Sequence, residues 1–192
     1  SFWLNLAMMT TPRIICLLKT KNCLRSCLRF LKNAIKIGSI LRTDRREGII
    51  IMIYTGLTKK ALKISFNAHK DQLDKSGIPY VYHPYEVAEH METETETCVA
   101  LLHDVVEDTD TTLDELAEIF PQEVIDALRL MTHDPEVPYL DYVKKIKDNP
   151  LARKVKLADL RHNSDLSRLN NATQKDLKRV DKYKEAIQIL EN

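Results

Sequence analysis

Residues 100–108, ALLHDVVED, constrain this chain more than any other stretch. Ala100, Leu101 and Leu102 read as an apolar helix entering a core. They run straight into His103 and Asp104, and then into Glu107 and Asp108. A protein interior holds such groups only when they are paired, hydrogen-bonded or bound to a metal. The fold must therefore bring a polar cluster to the end of a buried helix.

The surrounding sequence predicts further short helices. Leu57, Ala61, Leu62, Ile64, Ala68 and Leu73 recur near helical spacing, and KSGIP then breaks the pattern with Gly77 and Pro79. Pro84 suits the first turn of a helix over PYEVAEHM. TETCVALLHDVVED is expected to run as one helical segment. Thr112 with Glu115 forms a capping-box pattern ahead of LDELAEIF, and Pro121 opens PQEVIDALRLMTH. VPYLDYVKKIKDN, PLARKVKLADLRHNSDLSRL and TQKDLKRVDKYKEAIQILEN complete the series. No alternating strand and no internal repeat interrupts it. Four glycines in 192 residues, with 30% charged and 44% apolar side chains, suit the same conclusion. The predicted fold is all-α.

Charge divides the chain. Residues 1–51 carry ten Lys/Arg against two acids, which leaves 19 basic and 26 acidic residues in 52–192. IICLLKTKNCLRSCLRFLKNAIKIGSI reads as a basic amphipathic helix. It fits a targeting presequence, a membrane-surface helix or sequence outside the functional domain; the last reading is the one carried forward. Met52 opens the more conventional segment, and no catalytic residue is expected before it. The acidic part gives no general attraction to nucleic acid. No apolar run approaches the ~18 residues of a membrane span. Three cysteines lie in the basic part, and Cys98 alone lies in the acidic part. A lone cysteine suits a reducing, cytoplasmic setting.

Several residues could carry chemistry. His103 and Asp104 lie about 100° apart on a helix, and Glu107 falls on their face one turn on. A divalent cation would neutralise this cluster; the alternative is a solvated, inert helix end. Asp159 falls against the apolar stripe of KVKLADLRHN, with Asn163 one turn further. Taken alone it reads as an exposed acid on an ordinary amphipathic helix. His83, in YVYHP, sits at a loop–helix junction and could simply pack. His162 reads as structural, and His69 and His90 have no adjacent acids. His133-Asp134 repeats the dipeptide but is followed by Pro135 and Pro138, and it is assigned no metal.

Three motifs in order, KSGIPYVYHPYEVA, ALLHDVVEDTDTTLDEL and VKLADLRHN, resemble the HD-domain phosphohydrolases. Their context is similar to the hydrolase domain of the RelA/SpoT alarmone family over roughly residues 57–192. The resemblance implies an HD-domain helical bundle around a mononuclear metal site, with His83, His103, Asp104 and Asp159 as ligands. The ion implied is Mn2+. Glu107 and Asp108 would position or deprotonate the attacking water. Lys75 and Ser76 would contact the nucleotide, and Asn163 its sugar or base. Lys156 and Arg161, with Lys75, are candidates to hold pyrophosphate. The implied activity removes 3′-pyrophosphate from guanosine tetra- or pentaphosphate, a small anionic substrate. The alternatives are an HD hydrolase of another phosphoester and a non-catalytic regulatory HD module. Three departures bear on the substrate. Asp74 stands where the family has a basic residue near the guanine. LADLRHN replaces LADRLHN, and the stretch between the EDT and KLAD motifs is shortened. The chain leaves no room for a synthetase domain, so hydrolysis alone is expected.

Overall fold

A computed structural model describes residues 52–169 and 171–192; the basic extension, 1–51, lies outside them. The described residues form α-helices and one 3-10 turn, with no strand beyond an isolated bridge between Leu73 and Pro79. The all-α expectation holds. In chain order the helices are α1 (Gly56–His69), α2 (Tyr82–Glu89), α3 (Glu94–Leu102), α4 (Val105–Asp108) and α5 (Leu113–Ala117). They continue with α6 (Gln122–Met131), α7 (Tyr139–Lys147), α8 (Pro150–Ser164), the 3-10 turn Leu166–Arg168 and α9 (Gln174–Glu191).

The helix starts follow their capping residues. Thr93, Thr112 and Thr173 each accept from the backbone N–H three residues on. The side chains of Glu96, Glu115 and Asp176 reciprocate. Asn149 caps α8, and Pro150 fills its first position, where a missing N–H costs nothing.

The organising element is α3. Cys98, Val99, Ala100, Leu101 and Leu102 are each no more than 1% exposed. A helix that is apolar on every side has to be enclosed. α1, α2, α6 and α8 surround it. The amphipathic α6 contributes Val124, Ile125, Ala127, Leu128 and Met131 to the same core. Because α3 runs through the interior, the residue after Leu102 is delivered into the interior as well.

The expected single helix over TETCVALLHDVVED is divided. α3 ends at Leu102, and Asp104, at φ −97° and ψ −8°, starts the four-residue α4. Neighbours on a straight helix diverge by about 100°, and the bend at Asp104 lets both side chains face one point.

The loop after α1 is shaped by Asp74, whose Oδ1 accepts from Ser76 N at 2.8 Å and Ile78 N at 2.9 Å. Gly77 turns it at φ 78°, a left-handed conformation that disfavours any Cβ. No described helix is long and apolar enough to cross a membrane.

Leu102 is fully buried whereas Phe66 is 54% exposed. Leu102→Ala should cost about 2–5 kcal/mol in urea unfolding, and Phe66→Ala within about 0.5 kcal/mol of zero.

Candidate metal centre

Four side chains from three separate elements meet where α3 ends. His83 comes from the first turn of α2, His103 and Asp104 from the break after α3, and Asp159 from the middle of α8. His83 Nε2 lies 3.3 Å from His103 Nε2, 3.4 Å from Asp104 Oδ2 and 3.2 Å from Asp159 Oδ1. His103 Nε2 lies 3.2 Å from Asp104 Oδ2 and 3.8 Å from Asp159 Oδ1. Metal–ligand bonds of roughly 2.0–2.2 Å place neighbouring donor atoms about 3.0–3.5 Å apart. The cluster is on that scale, and the donor atoms of His83, His103 and Asp104 all lie within 4.8 Å of one another. His83, His103 and Asp159 are at most 5% exposed, so the site is dry except on the side of Asp104. Two imidazoles and two carboxylates form a donor set for a divalent cation.

Each of the four side chains is held by a further partner. His103 Nδ1 donates to the Ala100 carbonyl at 2.7 Å, which turns Nε2 to the cluster. Tyr80 donates its hydroxyl to Asp104 Oδ2 at 2.6 Å. Asp159 accepts from Asn163 at 2.5 Å and from Lys156 at 2.8 Å. His83 Nδ1 lies 2.7 Å from His162 Nδ1.

The electrostatics follow. Burial alone would lower His103, but the charges of Asp104 and Asp159 override it and hold it at about 10. Burial would lift Asp104 and Asp159. His103 holds the first far below the usual carboxylate range, and Lys156 with His103 and His83 holds the second there. Asp108 is raised by burial and by the neighbouring charges of Asp104 and Glu107. Burial and the Asp104 charge push Tyr80 strongly up, so it stays a hydrogen-bond donor.

The other expected residues are placed as follows. Glu107 is exposed, and its Oε2 accepts from His133 N at 3.1 Å; Asp108 accepts at its carbonyl from Gln72 Nε2 at 3.1 Å. Both belong to α4, the turn after the cluster, rather than to the end of a long helix. Lys75 pairs with Asp176 at 3.2 Å, with its side chain 57% exposed. Ser76 donates to the Arg168 carbonyl at 2.8 Å. Lys156, largely buried, and Asn163 both bond the Asp159 carboxylate and brace it. Arg161 is not brought to the cluster. It pairs with Glu191 at 2.8 Å, and two positions past Asp159 is about 200° round a helix. His133 takes no part in the cluster; its ring packs on Tyr142 and its Nε2 is 2.8 Å from the Val137 carbonyl.

Sequence reasoning missed Tyr80, His162, Tyr139 and Arg179. The Tyr139 hydroxyl and Arg179 Nε are buried without a hydrogen-bond partner. Tyr139 is within electrostatic reach of Lys156 and Asp159. Tyr80 had a faint signal, three positions before His83. Tyr139 and Arg179 had none, because only packing brings α7 and α9 beside α8.

The chain matches the HD domain family over residues 61–162. It belongs to that family. Among relatives of this HD domain is the guanosine-3′,5′-bis(diphosphate) 3′-pyrophosphohydrolase MESH1 of Mus musculus. The two are 39% identical over 123 residues, 56% of this chain and 68% of the mouse protein. The Homo sapiens MESH1 is 38% identical over 59% of this chain and 70% of its own length. A GTP pyrophosphokinase of Myxococcus xanthus is 46% identical over 72 residues, 35% of this chain but 10% of that far longer protein. A solved structure, described as a metazoan ortholog of SpoT that hydrolyzes ppGpp and plays a role in starvation responses, superposes with a TM-score of 0.59. It covers 73% of this chain and 88% of its own at 24% identity, which establishes a shared fold.

A prediction follows from the His103 charge. Its folded pKa, about 10, is above the unfolded value near 6.5. The pair therefore stabilises the metal-free protein fully below pH ~6.5, and that contribution is lost as pH rises toward 10. Metal binding needs neutral imidazole. Melting of metal-free protein should fall across this window, while the Tm gain on adding divalent cation grows. A metal-induced gain that shrinks with rising pH would contradict the assignment.

Proposed function

We propose that this chain hydrolyses guanosine 3′,5′-bis(diphosphate) at its 3′-pyrophosphate, with a divalent cation, Mn2+, held by His83, His103, Asp104 and Asp159. The observation that carries the reading is the convergence of four donor atoms in a nearly dry site, with the Glu107 and Asp108 carboxylates on the next turn. It occurs in a chain similar to proteins named as 3′-pyrophosphohydrolases for this nucleotide. Mixed imidazole and carboxylate donors suit Mn2+ better than a closed structural zinc site. Bound there, the cation would lower the pKa of water and offset charge on the phosphoryl oxygens.

The chain's own side chains supply the rest. Asp108, raised from its ordinary value by burial and by its acidic neighbours, takes the proton of the attacking water. Glu107, fixed by the His133 N–H, orients that water. Water adds to the phosphorus carried on the 3′ oxygen, the phosphorus–oxygen bond breaks, and a proton returns to the 3′ oxygen. Lys75 is exposed enough to reach a phosphate. Arg179 Nε and the Tyr139 hydroxyl are buried donors that a phosphoryl oxygen would satisfy. Lys156 acts through Asp159, and Ser76 through the Arg168 segment. A cytoplasmic setting goes with this reading and with the buried free thiol of Cys98.

Asp74 favours a second reading at the level of the base. Its carboxylate is committed to the loop backbone, with Arg168 at 3.8 Å. A hydrolase of this architecture acting on another nucleotide is the alternative.

Pyrophosphate release is measured with Mn2+-loaded protein on the 3′-pyrophosphorylated guanosine nucleotide and on ordinary nucleoside phosphates. Turnover confined to the latter rejects the alarmone assignment but keeps the hydrolase. Asp104→Ala should abolish turnover on any substrate, and retained activity means the centre is misassigned. Asp108→Asn should lower kcat by about 10²–10⁴-fold with little change in KM.

A further inference from the structure

We propose that His162 is a positioning residue for His83, the middle of a Glu86–His162–His83 line that fixes which nitrogen of His83 faces the metal centre. The inference rests on the reading of His83 as a metal ligand. His83 Nδ1 and His162 Nδ1 are 2.7 Å apart, so one carries the proton and the other accepts it. Arg168 decides which. Its Nη1 lies 2.9 Å from the same His162 Nδ1, and a guanidinium only donates. His162 Nδ1 is therefore the acceptor, and the proton of the neutral His162 ring sits on Nε2. That nitrogen faces the carboxylate of Glu86, with Oε2 3.0 Å away. Hence His83 carries its proton on Nδ1 and turns an unprotonated Nε2 toward His103, Asp104 and Asp159. The two rings are 25° from parallel with centroids 4.7 Å apart, which suits an in-plane hydrogen bond.

His103 reaches the same tautomer through the Ala100 carbonyl. The two imidazole ligands are thus set by different means, one by backbone and one by side chains. The side-chain line carries a carboxylate at its far end. Ligand imidazoles that donate to such partners become more basic and better oriented. The line also borders a cavity of about 220 Å³ lined in part by His83, Glu86 and Arg168, so its outer end is wet while His83 is buried.

The test is Co2+ titration of the metal-free protein, followed by its visible spectrum and by the dissociation constant, alongside the melting temperature without metal. His162→Phe keeps a ring but removes the acceptor. It should weaken Co2+ binding by about 10–100-fold and shift the spectrum. His162→Asn places a carbonyl oxygen near the position of Nδ1 and should recover most of the affinity. A packing role would leave both constants at the wild-type value, and that result overturns the proposal. So does equal weakening in both variants. Should His162→Phe fail to fold, Glu86→Ala carries the test from the exposed end, with an expected loss of about tenfold; unchanged affinity there overturns the line. Co2+ that fails to bind wild type, or binds His83→Ala equally well, rejects the metal reading on which the line rests.

Discussion

Everything at the centre depends on where α3 stops. The C-terminal half of α3, Cys98 to Leu102, is apolar on all sides and packed among four other helices, so its last residue, Leu102, lies in the interior. The next two side chains are an imidazole and a carboxylate, which cannot be left there uncompensated. The bend at Asp104 turns both toward one point. α2 and α8 meet that point with His83 and Asp159. The interior position of a polar cluster is thus a consequence of burying α3.

The cluster is supported in layers. Ala100, Tyr80, Lys156, Asn163 and His162 each hold one of the four inner side chains in place. These partners come from α3, the loop before α2, and α8. Charge is balanced as well: Lys156 offsets Asp159, and the imidazoles offset Asp104. The outer surface of the centre is different in character. Lys75, paired with Asp176 of α9, and Glu107 and Asp108 of α4 are exposed to solvent.

Much of this was legible before any coordinates. Helix starts at Thr112 and Pro121 followed from capping chemistry that acts within three or four residues. The all-α class followed from periodicity and from the scarcity of glycine. The HD motif singled out His103 and Asp104 because acids beside a buried helix need a reason. What failed was the reading of one helix through His103–Asp108. Periodicity extrapolates a straight axis, whereas the bend brings His103 and Asp104 to His83 and Asp159, which are distant in sequence. The ion pairs of Arg161 and Lys156 were not legible either: their carboxylate partners, Glu191 and Asp159, are identified only by the packing.

The sequence by itself determined most of the helices, their caps, the buried end of α3 and the candidate donor side chains, because these rest on local chemistry and on short spacing. Only the tertiary structure decided which nitrogen of each imidazole faces the centre, which lysine braces a ligand and which meets solvent, and that Tyr80 and His162 belong to the site. Those properties depend on hydrogen bonds between residues 24 and 79 positions apart. A one-dimensional pattern carries no record of such pairings.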